Sequence, residues 1–175
     1  EIWEGLGFQA PDSVVVPVGG GANLLGLHVG FSELLVAGSI SKLPRLYGVQ
    51  ADACAPLAAA FRNGKSAAAP VSPRPTIAEG IRIANPPRGR QILAAVRETG
   101  GGLLAVGESE LLESLKRLLR GGIAVEPTSA AALAGLTQLV DRNDISPADE
   151  RVVVVLTGHA MKSVDQVLSL LRPTA

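Results

Sequence analysis

The stretch from Ser13 to Gly26, SVVVPVGGGANLLG, constrains the fold of this 175-residue chain more than any other feature. An apolar run leads directly into three consecutive glycines, and an apolar helical pattern follows. Apolar runs of this kind are typical of parallel strands covered on both faces. Glycines between a strand and a helix let successive backbone N–H groups point into one concavity at the positive end of the helix. The sequence therefore predicts a strand, an anion-binding loop and a helix, with a phosphate as the natural ligand.

The glycine run matches neither common nucleotide-binding motif. Leu24 stands where the GxGxxG pattern requires its third glycine, and no Gly-Lys-Ser/Thr follows the run. These departures indicate a phosphorylated ligand other than a dinucleotide or ATP.

Short apolar runs alternate with longer helical patterns along the rest of the chain, which predicts one α/β domain over residues 1–175. We expect a doubly wound, mostly parallel sheet of four or more strands, with helices on both faces in a three-layer αβα arrangement. The predicted strands are Ser13 to Val18, Leu46 to Ala51, Leu103 to Val106 and Arg151 to Leu156. The predicted helices are Asn23 to Ala37, Cys54 to Asn63, Gly89 to Thr99, Glu108 to Gly121, Thr128 to Arg142 and Ser163 to Arg172.

Composition and charge exclude several classes of partner. The 16 basic and 16 acidic side chains cancel, and no cluster of Lys or Arg is present to bind nucleic acid or an anionic membrane surface. No apolar stretch is long enough to suggest a membrane span. Cys54 is the single cysteine, which excludes an internal disulfide and fits a cytoplasmic location. The first residues, Glu1-Ile2-Trp3-Glu4, lack a starting Met and resemble the tail of a helix, so we expect a piece of a longer polypeptide.

Metal binding is not predicted, because the two histidines, His28 and His159, have no Cys, His or Asp at ligand spacing. The sequence favours a packing role for His28 inside an apolar helix and a hydrogen-bonded structural role for His159.

Ligands of parallel α/β sheets bind beyond the carboxyl ends of the strands. The segments that follow the predicted strands should therefore share one crevice, with the helix entrance Glu126-Pro127-Thr128-Ser129 added to it. These segments are Gly19 to Asn23, Ala51 to Ala53, Gly107 to Ser109, and Thr157-Gly158-His159. Taken singly, Glu126 with Ser129 also fits a helix cap. Thr157, taken singly, also fits an ordinary hydroxyl at the end of a strand.

The segment from Gly64 to Pro87 contains five prolines and no long helical or strand pattern. A loop of this length inside a compact domain is often functional or mobile. It is a candidate wall of the active site, although its composition alone favours a surface excursion between two helices.

Five segments, in order along the chain, resemble pyridoxal-phosphate (PLP)-dependent enzymes of the tryptophan synthase β type (fold type II), and among these the threonine synthases. They are PVGGGANLLG, LPRLYGVQADACAP, TIAEGIRIANPPRG, VGESELLESLKRLLRGGIAVEPTSAAALAGL and VVVVLTGHAMKS. The resemblance implies that pyridoxal 5'-phosphate is the cofactor and that Thr157 hydrogen-bonds its ring nitrogen. A neutral hydroxyl at that position leaves the nitrogen largely unprotonated. The residues implied to enclose the cofactor phosphate are Gly19, Gly20, Gly21, Ala22 and Asn23. Those implied to line the pocket are Glu79, Glu126, Ser129, Gly158 and His159.

Two positions depart from the threonine synthase pattern. Ala160 stands where the family usually has Gly within Gly-His-Gly-Leu-Lys-Asp. Gly20 stands where the family often has Asn, which is closer to threonine and serine dehydratases. The resemblance therefore leaves the substrate more open than the cofactor.

The family anchors its cofactor as a Schiff base on a lysine that lies in a motif preceding the region seen here. The chain has four lysines, Lys42, Lys65, Lys116 and Lys162, and none lies in such a motif. The resemblance thus implies the carboxyl-terminal, large-domain part of an enzyme, without the smaller lysine-bearing amino-terminal domain. No catalytic residue is assigned, and the chain by itself is expected to be inactive.

Three functions remain open at this stage. The parent is a threonine synthase acting on O-phosphohomoserine and water, or a threonine or serine dehydratase-like lyase, or a non-catalytic module that binds phosphate or PLP. The first implies a small, phosphorylated amino-acid substrate. The resemblance also implies a homodimeric parent.

Overall fold

The computed structural model describes residues 1–171 and contains, within them, one sheet of four parallel strands. The strands lie in the order β3-β2-β1-β4. Their bounds are Ser13–Pro17 for β1, Arg45–Ala51 for β2, Gly102–Val106 for β3 and Val152–Val154 for β4. In register, Val15 of β1 lies opposite Tyr47 on one side and Val154 on the other. The parallel α/β architecture predicted from the alternation of apolar runs is confirmed. The last strand is shorter than the predicted Arg151 to Leu156, because β4 lies at the edge of the described sheet and pairs there with β1 alone.

Seven α-helices connect and cover the strands of the described part. They are α1 Ile2–Gly5, α2 Ala22–Val36, α3 Pro56–Arg62, α4 Gly89–Glu98, α5 Glu108–Arg120, α6 Pro127–Asp141 and α7 Val164–Leu171. The expected start of α3 at Cys54 is wrong, because Asp52–Cys54 forms a separate 3₁₀ turn and Pro56 occupies the first turn of the helix. Arg172, the expected end of α7, lies outside the described residues. No helix within residues 1–171 is long and apolar enough to cross a membrane.

Alternate residues of β1 face opposite sides of the sheet. Val14 and Val16 pack with residues of α2, α3 and α4, whereas Val15 packs in a second core with residues of α5 and α6. All three valines are completely buried. The sheet is therefore covered on both faces, which explains why the β1 sequence is continuously apolar instead of alternating.

Helix α6 approaches the sheet closely through Gly135. A Cβ atom at this position would overlap the side chain of Val49 in β2. This close packing helps to fix α6, whose amino-terminal end then lies beside the chain that leaves β4.

Candidate ligand-binding cavity

The glycine run joins β1 to α2 and requires glycine at two of its positions. Gly21 adopts a φ of 85°, and a Cβ atom there would overlap the side chain of Ile92. A Cβ atom at Gly19 would lie 3.0 Å from the Cα of Ile81, so the loop passes close to the segment between α3 and α4. Gly20, by contrast, has no atom within 4 Å of its Cβ position. The predicted strand, loop and helix are thus confirmed, with an open concavity at Gly20.

The start of α2 suits an anion. Gly21 is its N-cap residue, no side chain caps the helix, and no acidic residue lies in its first turn. Backbone N–H groups at a helix start carry partial positive charge and bind anions when no side chain takes them up.

The glycine loop forms one wall of a cavity of about 330 Å³ at the carboxyl ends of the strands. The cavity unites segments that are far apart in sequence. Its lining residues are Pro17, Gly19, Gly20, Gly21, Ala22, Asn23, Gly80, Ile81, Glu126, Thr128, Thr157 and Lys162. The structure therefore brings together the whole predicted phosphate loop with Glu126 and Thr157.

Ser129 fixes the chain at Thr157, which lines the cavity. Its Oγ atom is completely buried and accepts hydrogen bonds from the backbone N–H groups of Thr157 and Gly158, both at 3.0 Å. The same oxygen lies 3.2 Å from Thr157 Oγ1. Neither Ser129 nor Glu126 caps α6 with its side chain, so the helix-cap interpretation is wrong. Ser129 instead supports Thr157 from behind the cavity wall.

Glu126 occupies the space between Thr157 and Lys162. Its Oε2 atom lies 3.3 Å from Lys162 Nζ, and its Oε1 atom accepts a hydrogen bond from Thr157 Oγ1 at 3.4 Å. A Cβ atom at Gly158 would overlap the Glu126 carboxylate. The carboxylate is therefore confined by the backbone on one side and paired with an ammonium group on the other.

The remaining predicted residues lie around the cavity without lining it. Glu79, which the resemblance implied to line the pocket, is exposed and does not line the cavity. Its neighbours Gly80 and Ile81 line the cavity instead. His159 is also exposed, and its Nδ1 atom accepts a hydrogen bond from the backbone N–H of Met161 at 3.2 Å. The segments Ala51 to Ala53 and Gly107 to Ser109 contribute no lining residue.

The proline-rich segment takes part in the site. Gly80 N–H donates to Thr128 Oγ1 at 3.1 Å, which joins the segment to the first turn of α6. The prediction of a surface excursion, which composition alone favoured, is therefore wrong for Gly80 and Ile81, because both residues line the cavity.

The two histidines belong to no candidate metal site among the described residues. The described part of the chain holds no group of three or more His, Cys, Asp or Glu side chains able to bind a metal ion. His28 lies partly exposed on α2, where its Nε2 atom pairs with Glu98 Oε2 at 3.1 Å. The packing role predicted for His28 is therefore wrong, because its side chain makes a polar contact between α2 and α4.

The fold and the cavity define an α/β protein in which a glycine-rich loop and the Thr157 hydroxyl line one cavity at the carboxyl ends of the strands. Comparison with known families narrows this class, because the family model described as pyridoxal-phosphate dependent enzyme matches residues 1–158. The chain belongs to this family, whose cofactor is pyridoxal phosphate.

The chain is similar to curated threonine synthases over nearly its whole length. It is 40% identical to the threonine synthase of Methanosarcina acetivorans, covering 97% of this chain and 42% of that protein. It is 41% identical to the enzyme of Methanocaldococcus jannaschii, covering 94% of this chain and 41% of that protein. The chain thus spans about two fifths of the length of these relatives.

Solved structures with the same fold include a threonine deaminase and an L-serine ammonia-lyase. A threonine deaminase from T.th. superposes with a TM-score of 0.67 at 27% identity, over 90% of this chain and 52% of that one. The L-serine ammonia-lyase of Rhizomucor miehei superposes with a TM-score of 0.73 at 22% identity, over 95% of this chain and 52% of that one. These superpositions agree with the fold type II architecture.

The residues present fit the phosphate group of the family's cofactor. The uncapped start of α2 offers N–H donors, and the open space at Gly20 lets a ligand approach the backbone directly. Thr157 lines the same cavity and offers a neutral hydroxyl to a bound molecule.

Proposed function

We propose that the chain is the carboxyl-terminal, cofactor-binding part of a threonine synthase-like enzyme that converts O-phosphohomoserine and water into threonine and phosphate. The observation that carries the proposal is the single cavity that joins the glycine loop to Thr157. The threonine synthases at 40% and 41% identity over nearly the whole chain support this reaction above others.

In this proposal Gly19 to Asn23 hold the phosphate of the cofactor through backbone N–H groups. The hydroxyl of Thr157 faces the ring nitrogen, and Ser129 keeps Thr157 in place through its two backbone contacts. When bound, pyridoxal phosphate supplies the electron sink that stabilises negative charge on the substrate carbon. A neutral hydroxyl at the ring nitrogen keeps this sink weaker than a carboxylate would.

The proposal assigns the lysine-bearing half of the enzyme to residues outside this chain. Lys162 is the one lysine of the described part that lines the cavity, and its ammonium group is paired with Glu126. A second depression, of about 750 Å³, lies between α1, α2 and the end of β4 and also includes Asn23 and Thr157. We infer that an amino-terminal domain covers this depression in the longer protein and that the chain alone is inactive.

A dehydratase-like lyase is the second candidate function. Gly20, at the position where threonine synthases often have Asn, favours it, and so does the 27% identity to a threonine deaminase of the same fold. Such an enzyme eliminates a β-hydroxyl group and releases no phosphate.

Two assays on the longer protein separate these candidates. We expect phosphate release from O-phosphohomoserine and little 2-oxobutyrate from threonine. Rapid 2-oxobutyrate release from threonine, without phosphate release from O-phosphohomoserine, would support the lyase and rule out the synthase.

Borohydride reduction of the 175-residue chain with pyridoxal phosphate tests the assignment of the lysine. We expect no stoichiometric label at Lys162. Complete labelling of Lys162, with Lys116 unlabelled as the internal control, would show that the chain carries its own anchor.

A further inference from the structure

The cavity contains one pair of charged side chains whose role the proposed function leaves open. Glu126 and Lys162 are the two charged residues among those that line it. The Glu126 side chain is 16% exposed, whereas that of Lys162 is 68% exposed. A mostly buried carboxylate in the cavity wall is therefore paired with a largely exposed ammonium group.

The hydrogen bonds of Ser129 determine where the proton of Thr157 can go. A hydroxyl has one proton and two acceptor lone pairs. Ser129 Oγ already accepts from two backbone N–H groups, those of Thr157 and Gly158. Its lone pairs are thus occupied, so Ser129 can only donate, either to Thr157 Oγ1 or to the carbonyl of Gly158, each at 3.2 Å. The Thr157 proton is left to Glu126 or to a ligand in the cavity.

We propose that Lys162 is a positioning residue that neutralises Glu126, so that the ring nitrogen of the bound cofactor stays unprotonated and accepts the hydroxyl proton of Thr157. The inference rests on the proposed function, because it needs the cofactor ring at Thr157. A carboxylate without its ammonium partner would stabilise a protonated ring nitrogen by direct attraction. The unpaired Glu126 carboxylate would also accept the Thr157 proton more strongly. A lone pair of the Thr157 hydroxyl, instead of its proton, would then face the ring nitrogen.

Few other charged groups surround Thr157 in the described part of the chain. Glu1 and Glu4 line the neighbouring depression, and both are exposed. His159 follows on the same loop, and its Nδ1 atom already accepts from Met161 N–H. Glu79 is exposed beside Gly80. Substitutions at Lys162 and Glu126 leave all of these groups in place.

The test uses 4-deoxypyridoxine 5'-phosphate labelled with ¹⁵N in the ring, which has the ring and phosphate of the cofactor but no aldehyde to react with lysines. Bound to the 175-residue chain, its ³¹P signal reports occupancy and its ¹⁵N shift, followed against pH, reports protonation of the ring nitrogen. We expect Lys162→Met to raise the pKa of that nitrogen by about one unit, the usual scale for one nearby charge. Lys162→Arg should behave like the unsubstituted chain, and Lys65→Met, at an exposed position outside the cavity lining, is the matched control.

Glu126→Gln provides the opposite change, since it leaves the Lys162 ammonium group without its carboxylate and should lower the pKa of the ring nitrogen. The double variant should return it close to its original value, as expected for two coupled charges. If Lys162→Met folds poorly, as judged by circular dichroism, Lys162→Gln, which keeps a polar group at this exposed position, takes its place and should give the same rise.

If the ligand binds to Lys162→Met, or to the folded Lys162→Gln variant that replaces it, and its ¹⁵N titration is unchanged, the role of Lys162 is overturned. The proposed cofactor site would remain intact. Absence of any bound ³¹P signal in the unsubstituted chain would instead contradict the cofactor site, and the inference would fall with it.

Discussion

The Oγ atom of Ser129 lies 3.0 Å from the backbone nitrogen of Thr157, and this contact ties the first turn of α6 to the chain leaving β4. The same oxygen accepts from the backbone N–H of Gly158, also at 3.0 Å. One buried side chain thus supports the backbone of the residue that presents its hydroxyl to the cavity.

Replacing Ser129 with Ala should destabilise the protein, because two N–H groups lose their acceptor. We expect a loss of about 1–3 kcal/mol in the free energy of unfolding, measured by urea denaturation. Ser32→Ala is the matched control, since the Ser32 hydroxyl donates to the His28 carbonyl one helical turn earlier, and its cost should stay within about 0.5 kcal/mol. Equal losses in the two variants would contradict the supporting role of Ser129.

Two alanine substitutions in the glycine loop should have different effects. Gly21→Ala places a side chain at a φ of 85° and against Ile92, so we expect a loss of about 2 kcal/mol or more in unfolding free energy. Gly20→Ala meets no atom within 4 Å and should change stability by less than about 1 kcal/mol. Its methyl group should instead weaken phosphate binding, followed by ³¹P NMR. Unweakened phosphate binding in a folded Gly20→Ala variant would count against the cradle.

Gly135→Ala tests the close approach of α6 to the sheet. The added methyl group would overlap Val49, and we expect a cost of about 1–3 kcal/mol in the free energy of unfolding. Gly30, within α2, has no atom within 4 Å of its Cβ position. Gly30→Ala should therefore stabilise the chain by about 0.5–1 kcal/mol, because Ala favours helix over Gly. Thermal or urea unfolding of both variants distinguishes a packing effect from a helix-propensity effect.

Asp12 should contribute to the acid sensitivity of the fold. The backbone N–H of Arg151 and the ammonium group of Lys42 hold the pKa of the Asp12 carboxyl below its usual value of 3.8. A carboxyl with a lowered pKa adds stability above its unfolded pKa, and that stability is lost as the pH falls through the lower, folded value. Asp12→Asn should therefore flatten the decline of the urea midpoint below about pH 4.

Asp141→Asn, at the exposed end of α6, is the control for removal of one negative charge. An Asp12→Asn profile as steep as that of the unsubstituted chain would show that the contacts with Arg151 and Lys42 do not stabilise the fold.

Local sequence patterns predicted the elements of this fold closely. The apolar run from Ser13 to Val18 became β1, Ser13–Pro17, and the helix expected from Gly89 to Thr99 became α4, Gly89–Glu98. These predictions succeed because burial on both faces, helical periodicity and proline or glycine boundaries all act over a few residues. Two elements differ from the prediction. Helix α3 begins later, because the 3₁₀ turn at Asp52–Cys54 is too short to leave a periodic signal. Strand β4 covers only Val152–Val154 of the predicted segment from Arg151 to Leu156.

Local sequence patterns predicted only some of the residues that line the cavity. The glycine loop and Thr157 were predicted as site residues because each follows a predicted strand. Gly80 and Ile81 carry no such signal, since their place depends on the hydrogen bond from Gly80 to Thr128. Lys162 likewise lines the cavity because the chain after β4 pairs with the segment before α6, through an antiparallel bridge between His159 and Val125.

The sequence by itself determined the parallel α/β fold, the glycine-rich loop from Gly19 to Asn23 and the family resemblance. These features depend on the hydrophobic pattern and on the backbone chemistry within each segment. The tertiary structure alone decided that Ser129 supports Thr157 and that Lys162 neutralises Glu126. Both contacts join residues far apart in the chain, and they depend on how α6 packs against the sheet, which no local pattern records.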